Sequence, residues 1–261
     1  MRVSRAALLV GGVLLVLAVA PRQPARAQQS PSRSVFQLVV MAHRVQGPYR
    51  SEYRSVSAGT AFFISPDGTA LTNSHVVYPV RGDRVTYSLL AILDREFYGA
   101  ALVCASALPR DPARPDPQGV ALSRDVAEVR LVPPQFPFDQ LSSGGIPYAR
   151  AHRGPLPAFP ALSLGADPSV GDGVRVLGFG RIESPLPYEW SAQGTVSGLG
   201  RAPDGTPVFG IDFAQEAEPG HSGSPVLNVL DQVVGLYTWH RLSDATQGTA
   251  ISVSALTPAC P

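Results

Sequence analysis

One serine, Ser222, lies between two glycines in residues 219–225, which read PGHSGSP. A serine hydroxyl becomes an effective nucleophile when a base takes its proton and backbone N–H groups stabilise the oxyanion. Glycines on either side let the loop bend sharply and bring those N–H groups close to a reacting carbonyl. The segment therefore predicts acyl-transfer chemistry at Ser222, provided that a histidine and a carboxylate lie beside it.

His75 and Asp125 are the candidates for that base and that carboxylate. His75 follows an apolar, strand-like run in residues 71–77 (LTNSHVV), where a turn or short helix would hold its imidazole rigidly. Asp125 opens residues 125–129 (DVAEV), which are predicted to form a strand. Taken alone, each has a common structural interpretation, as a histidine packed beside apolar residues or as an acid at a turn. Together with Ser222 they give the order His, Asp, Ser along the chain.

Composition favours β-structure as the scaffold for these residues. The chain has 261 residues with 25 glycines and 26 prolines, and no long amphipathic helix or internal repeat is visible. Short strands joined by turns tolerate this many helix breakers, whereas helical proteins rarely do. Charged residues make up 16% and the formal net charge is +1, so nothing indicates nucleic acid as a partner. We therefore predict an all-β protein.

The strand-like runs fall into two groups separated by proline-rich residues 133–160. The first group comprises residues 35–40, 60–64, 69–72, 85–93, 98–105 and 125–132. The second group comprises residues 173–179, 193–197, 207–213, 232–238 and 249–253. This layout predicts two packed six-stranded β-barrels with the active site in the cleft between them. The N-terminal barrel would span about residues 35–135, the connector about 136–160 and the C-terminal barrel about 161–258.

The N-terminus has the features of a secretory signal. Arg2 and Arg5 precede an apolar run over residues 6–20, and residues 25–27 (ARA) supply a small-x-small cleavage pattern. We predict a signal peptide over residues 1–27 and a mature periplasmic or secreted domain over 28–261, without stable membrane insertion after cleavage. An uncleaved anchor is the alternative, although the run is short for a spanning helix.

The chain has two cysteines, Cys104 and Cys260. In an oxidising compartment such a pair more often forms a structural disulfide than a metal site. We predict a disulfide that ties the C-terminus to the first half of the domain. Two buried free thiols are the alternative.

Several segments resemble trypsin-like serine proteases, and most of all the bacterial HtrA/DegP branch. Residues 59–77, which begin GTAFFISPDG, are similar to the region of the catalytic histidine, and residues 125–129 to that of the catalytic aspartate. Residues 219–225, with 231–236 (DQVVGL) behind them, are similar to the nucleophile loop and the strand that follows it. The resemblance extends from residue 36 to residue 256, in the family order of the three motifs.

The resemblance implies a serine endopeptidase with His75, Asp125 and Ser222 as the catalytic triad and the backbone N–H groups of Gly220 and Ser222 as the oxyanion hole. Its substrate would be a polypeptide, with no cofactor or metal ion. An α/β-hydrolase is excluded because too little chain lies between Ser222 and His240 for its Ser, Asp, His order. A zinc peptidase is disfavoured because the five histidines include no HExxH pattern.

Other residues near the serine depart from the family or bear on specificity. His221 replaces the aspartate that digestive members use in zymogen activation, and its side chain is expected to point away from Ser222. Glu216, Trp239 and His240 are candidates for the primary specificity pocket, where Glu216 would attract Lys or Arg; a solvated loop acid is the alternative. No C-terminal PDZ domain is expected. The functional alternative is an inactive extracytoplasmic binding protein on a protease scaffold.

Overall fold

The computed structural model describes residues 30–45, 51–77, 85–106, 123–134, 149–180, 189–215, 220–241 and 244–258. Within these ranges the chain is mostly β-strand, arranged as two closed antiparallel barrels of six strands each. The predicted all-β, two-barrel fold is therefore confirmed. The predicted signal peptide at residues 1–27 lies outside the described residues, and inside them no helix has the length and apolar character needed to cross a membrane.

Six strands wrap into the first barrel. They are β1 (Val35–Val45), β2 (Ser51–Phe63), β3 (Thr69–Thr72), β4 (Val85–Leu93), β5 (Glu96–Ala105) and β6 (Ala127–Val132). Neighbours pair in the order β4-β1-β2-β3-β6-β5, and β5 pairs back onto β4 to close the barrel. A two-residue strand, β7 (Arg150–Ala151), adds to β5 in parallel.

Strand β6 shows how the sequence builds a barrel wall. Ala127, Val129 and Leu131 are buried, whereas Glu128 is half-buried and Arg130 is exposed. Successive side chains of a strand point to opposite faces, so this alternation turns the apolar residues into the barrel core. The same period of two in the sequence is what predicts the strand.

The turn between β2 and β3 sets up the segment that carries His75. Residues 65–68 (SPDG) form the predicted tight turn, in which the Gly68 N–H donates to the Ser65 carbonyl at 3.3 Å. Gly68 has a φ of 89°, which residues with a side chain rarely adopt. Strand β3 then leads into the one-turn helix α1 (Ser74–Val77).

The second barrel has the same strand number and follows the connector. Its strands are β8 (Gly173–Phe179), β9 (Glu189–Arg201), β10 (Pro207–Phe213), β11 (Pro225–Leu227), β12 (Val233–Arg241) and β13 (Asp244–Ser252). The closed order is β10-β13-β12-β11-β8-β9. Phe209, Ile211 and Tyr237 are among its buried core side chains.

Residues 159–165 form a strap that bonds to both barrels. Phe159 stacks on Phe63 of β2, with ring centroids 4.6 Å apart. Farther along, the Val233 N–H of β12 donates to the Ser163 carbonyl at 2.9 Å. The strap therefore fixes β2 of the first barrel relative to β12 of the second.

Several strand bounds differ from the predictions: β1, β2 and β9 extend well beyond the predicted runs at 35–40, 60–64 and 193–197, and β11 matches none of the second group. The sequence predicts a strand that opens at Asp125, but β6 begins at Ala127. The prediction is wrong at Asp125, whose carbonyl is taken by a side chain, whereas the Val126 carbonyl accepts the Ser106 backbone N–H at 2.9 Å as well as a side-chain hydroxyl. The Asp125 carbonyl accepts from Asn73 Nδ2 and the Val126 carbonyl from the Ser74 hydroxyl, both at 2.7 Å. Of the predicted connector at residues 136–160, residues 136–148 lie outside the described ranges.

Candidate active site

Helix α1 presents His75 at the edge of the first barrel. Val76 and Val77 are buried in the core of that barrel, and Asn73 and Ser74 are fully buried on the preceding side. The His75 side chain is 25% exposed. The short helix therefore holds the imidazole firmly and leaves part of it accessible to a substrate.

Asp125 binds His75 through both oxygens of one fully buried carboxylate. Oδ2 lies 2.5 Å from His75 Nδ1, and Oδ1 accepts a hydrogen bond from the His75 backbone N–H at 2.9 Å. An ionised carboxylate only accepts hydrogen bonds, so the proton of the neutral imidazole is placed on Nδ1. Nε2 is then the basic nitrogen of His75.

The loop that carries Ser222 bends in a way that only glycine allows. Gly220 and Gly223 have φ values of 105° and 88°. A Cβ atom on Gly223 would lie 2.0 Å from the Thr60 carbonyl oxygen, so a side chain has no room there. The Gly223 N–H also donates to the Tyr237 carbonyl at 2.9 Å, which ties the loop to β12.

The same close packing brings the Ser222 backbone near the helix of His75. A Cβ atom on Gly59 of β2 would lie 2.6 Å from a methyl of Val76 and 2.9 Å from the Ser222 carbonyl oxygen. Val76 is the residue next to His75. The space beside Gly59 is therefore bordered both by the residue next to His75 and by the backbone of Ser222.

The Ser222 hydroxyl is turned toward β12. Ser222 Oγ donates to the Thr238 carbonyl at 3.4 Å, a long hydrogen bond, and within the described part of the chain it makes none to His75. Catalytic hydrogen bonds are often long or unformed in the absence of substrate. In this structure the predicted nucleophile is therefore not hydrogen-bonded to its predicted base.

The predicted oxyanion donors lie on the same loop. The backbone N–H groups of Gly220 and Ser222 donate to no acceptor among the described residues. The carbonyls of both residues, in contrast, accept hydrogen bonds from Thr60, the side-chain hydroxyl binding Gly220 and the N–H binding Ser222. Two unpaired N–H groups on a loop fixed by its carbonyls can bind a negatively charged oxygen.

Asn73 connects the two barrels directly beneath the site. Its Nδ2 donates to the Asp125 carbonyl at 2.7 Å and to Thr238 Oγ1 of β12 at 2.9 Å. Sequence reasoning did not single out Asn73 and Thr60, although both lie inside the motif quoted for His75. The signal that could have found them is a polar residue in a run that is otherwise buried and apolar.

His221 packs inside the second barrel. It is fully buried, and its ring stacks on Trp190 of β9 at a centroid distance of 3.7 Å and an angle of 16°. This packing agrees with the expectation that the side chain points away from Ser222. His221 is therefore part of the core of the second barrel.

The specificity candidates are only partly covered by the described residues. Glu216 lies outside them. Trp239 and His240 are in β12, where they pair with Thr249 and Gly248 of β13, and their side chains lie outside the described part. Their role in a specificity pocket stays a prediction.

Cys104 of β5 is disulfide-bonded. Cys260 lies outside the described residues, so the pairing of the two cysteines stays a prediction. Among the described residues, no cluster of three or more His, Cys, Asp or Glu side chains could hold a metal ion.

The chain is similar to known proteins in both sequence and structure. A sequence profile described as "Trypsin-like peptidase domain" matches residues 59–236. A probable periplasmic serine endoprotease, DegP-like, from Pseudomonas savastanoi pv. phaseolicola is 28% identical over 182 residues, which are 69% of this chain. The chain spans about 28% of the length of that relative.

The fold is shared with solved structures. The active form of the Rv3671c protease from M. tuberculosis superimposes with a TM-score of 0.55 at 20% identity, covering 97% of this chain and 92% of that one. An inactive form of Rv3671c gives a TM-score of 0.53 at 21% identity, covering 88% of each chain. At these identities the likeness concerns the fold.

The sequence profile begins in β2 and ends in β12, so it contains both barrels' contributions to the site. It covers His75, Asp125 and Ser222, the three side chains whose surroundings are described above, and more than half of the chain. The chain therefore belongs to the trypsin-like peptidase family.

Proposed function

We propose that the protein is a serine endopeptidase that cleaves polypeptides through Ser222, His75 and Asp125 by way of an acyl-enzyme. The observation that carries the proposal is the pair of hydrogen bonds by which the buried Asp125 carboxylate holds His75. That pair leaves His75 Nε2 as a base at the edge of the barrel that contacts the Ser222 loop. Membership of a peptidase family supports the same reaction.

In the proposed first step, Ser222 Oγ rotates away from the Thr238 carbonyl and attacks the scissile carbonyl carbon. His75 Nε2 takes the hydroxyl proton, and the C–N bond breaks as the imidazolium gives that proton to the leaving amine. Asp125 keeps the second imidazole proton on Nδ1 throughout. In the second step water attacks the ester, gives its proton to His75, and Ser222 leaves with that proton.

The Gly220 and Ser222 N–H groups would stabilise the negative oxygen in both steps. One such donor contributes about 10²–10³ in rate where it has been removed in other hydrolases. Because the carbonyls of Gly220 and Ser222 are already bonded to Thr60, the Ser222 N–H between them would need little reorganisation as charge develops.

We place this activity outside the cytoplasm. The proposal rests on the signal-like residues 1–27 and on the DegP-like relative, which is named as periplasmic. Glu216, Trp239 and His240 are proposed to line the primary specificity pocket. Cleavage of a peptide library would show enrichment of Lys or Arg before the cut if Glu216 lies at the base of that pocket.

The test is labelling by a fluorophosphonate probe, which phosphonylates only an activated serine. We expect the wild type to be labelled and to hydrolyse a protein substrate, and Ser222→Ala to lose both while keeping its fold. Ser224→Ala is the matched control because Ser224 is buried two residues away and its hydroxyl has no partner among the described residues.

A binding protein on an inactive protease scaffold would give a different outcome. Folded wild-type protein that is neither labelled nor proteolytic would refute the enzyme proposal and favour this alternative. Equal labelling of the wild type and Ser222→Ala would show that the nucleophile is assigned to the wrong serine.

A further inference from the structure

Thr60 makes two hydrogen bonds to the Ser222 loop, although it is not one of the predicted triad residues. It is fully buried in β2 of the first barrel. Its N–H donates to the Ser222 carbonyl at 2.8 Å, and its hydroxyl donates to the Gly220 carbonyl at 3.1 Å. The hydroxyl also accepts from the Phe179 N–H of β8 at 3.0 Å. One side chain therefore joins the first barrel, the second barrel and the loop.

These contacts fix the peptide group that carries an oxyanion donor. The Ser222 N–H belongs to the peptide group between His221 and Ser222, and the peptide groups on both sides of it have their carbonyls bound to Thr60. The His221 carbonyl of the middle group accepts from the Ser224 N–H at 3.1 Å. In a trans peptide the N–H points opposite to the C=O, so the direction of the Ser222 N–H is set as well.

The hydroxyl of Thr60 is itself held in one orientation. It has a single proton, which goes to the Gly220 carbonyl, while the Phe179 N–H occupies one of its lone pairs. The Thr60 carbonyl accepts from the Thr72 hydroxyl at 2.7 Å, which fixes the backbone. Loss of the hydroxyl would leave the half-buried Phe179 N–H and Gly220 carbonyl without this partner, and it would release one carbonyl of the loop.

We propose that Thr60 is a positioning residue for the oxyanion hole, acting through its hydroxyl on the Gly220–Ser222 loop. The proposal rests on the proposed protease function. It adds a residue of the first barrel to the machinery that orients the Ser222 N–H on the second. The hydroxyl, and not the packing volume of the side chain, is the functional group.

Gln37 supplies a matched control. It is buried in β1 of the first barrel, and its Nε2 donates to the Gly180 carbonyl at 3.2 Å, the residue after Phe179. It thus makes the same kind of contact between the barrels, one residue away, and has no hydrogen bond to the Ser222 loop among the described residues. Gln37→Leu removes this link while leaving the loop contacts of Thr60 in place.

The experiment compares Thr60→Val, Thr60→Ser, Gln37→Leu and wild-type full-length protein by the second-order rate of fluorophosphonate labelling. Thr60→Val keeps the shape and removes the hydroxyl, and we expect its rate to fall by about 10- to 100-fold. Thr60→Ser should recover most of the rate, and Gln37→Leu should stay within about threefold of wild type, since it leaves the oxyanion donors untouched. Melting temperatures confirm that each variant is folded.

A second measurement separates failure of this proposal from failure of the enzyme proposal. Amide exchange at Gly223 and Ser224, whose N–H groups bond to Tyr237 and His221, should be faster in Thr60→Val and unchanged in Gln37→Leu. If the wild type is not labelled, the enzyme proposal fails and amide exchange still decides the role of Thr60.

Several results would overturn the positioning role. They are a Thr60→Val rate equal to wild type, an equal loss in Gln37→Leu, or unchanged amide exchange in Thr60→Val. If Thr60→Val does not fold, Thr60→Ala replaces it, and a folded Thr60→Ala that is labelled as fast as Thr60→Ser overturns the proposal.

Discussion

At the scale of single residues, the two carboxylate oxygens of Asp125 make different contacts with His75. Oδ1 accepts from the His75 backbone and holds the helix, while Oδ2 faces Nδ1 of the ring and sets its tautomer. Because the side chain is fully buried, no water competes for either contact. The carboxylate thus determines both where His75 lies and which nitrogen is basic.

Asp125→Asn separates these two tasks. The amide oxygen can keep the contact with the His75 N–H, whereas the amide NH₂ opposite Nδ1 drives the imidazole proton to Nε2. We expect kcat to fall by roughly 10⁴-fold with a small change in KM. Steady-state kinetics checks this, with Asp67→Asn, a half-exposed acid beside Arg130, as the control that should keep wild-type activity. A tenfold loss or less would mean that Asp125 does not fix the tautomer.

At the scale of secondary-structure elements, local patterns in the sequence predict what is local in the fold. The turn at residues 65–68 and the alternation in β6 were readable because short-range geometry fixes both. Strand β7 was not, because its two residues pair in parallel with β5 and are held there by contacts distant in sequence. For the same reason the sequence does not predict the hydrogen bonds of Thr60 and Asn73, because their partners Gly220 and Thr238 lie on the other barrel.

The site shows the same division between local and distant information. Motifs around His75 and Ser222 predict the reacting groups, since each motif is short and contiguous. The rotation of the Ser222 hydroxyl toward Thr238 depends on packing between β12 and the loop, so no local pattern predicts it. The hydrogen bond from Asn73 to the Asp125 carbonyl is likewise distant in sequence, and β6 begins two residues later than predicted.

The predicted Cys104–Cys260 disulfide would link the end of β5 covalently to the C-terminal segment. Unreduced protein treated with an alkylating reagent should gain no label, and the intact mass should be that of one Cys104–Cys260 bond. Replacement of both cysteines by serine should lower the unfolding free energy by about 2–4 kcal/mol, because the unfolded chain loses a long-loop constraint. Two alkylated cysteines in folded protein would contradict the pairing.

At the scale of the whole molecule, a charged contact attaches the connector to the first barrel. His152 Nδ1 lies 2.8 Å from Glu96 Oε2, and His152 Nε2 lies 3.1 Å from the Pro155 carbonyl. The ring stacks on Tyr98 with centroids 4.7 Å apart. Both ring nitrogens thus face acceptors, and only the imidazolium can donate to both. In the chain, His152 precedes the strap at residues 159–165, which reaches the second barrel.

The pH dependence of this contact follows from its pKa shifts. The Glu96 hydrogen bond and then the Pro155 carbonyl raise the pKa of His152, and the His152 hydrogen bond lowers the pKa of Glu96. The His152 contribution to stability is therefore complete below its ordinary pKa of about 6.5 and is lost as pH rises through the raised value. The Glu96 contribution is complete above its ordinary pKa of about 4.3 and is lost as pH falls through the lowered one.

His152→Gln tests this sign, because glutamine can still donate to Glu96 but cannot ionise. We expect the melting temperature of the wild type to exceed that of the variant by more at pH 5.5 than at pH 8.5. Taking the difference between two proteins at each pH removes the effect of the other titrating groups, including Arg150 and Tyr98 around Glu96. A difference that stays constant across this range would contradict the assignment.

The division of the proposed site between two barrels has a consequence for the life of the chain before it is folded. His75 and Asp125 come from the first barrel, whereas Ser222 and both predicted oxyanion donors come from a loop of the second barrel, which follows the first in the chain. The loop at Ser222 also packs against Thr60 and is hydrogen-bonded to it, so its observed conformation depends on contact with the first barrel. On the proposed mechanism, a chain whose two barrels have not yet assembled would hold these side chains without the geometry to cut, so cleavage would begin only with the folded domain.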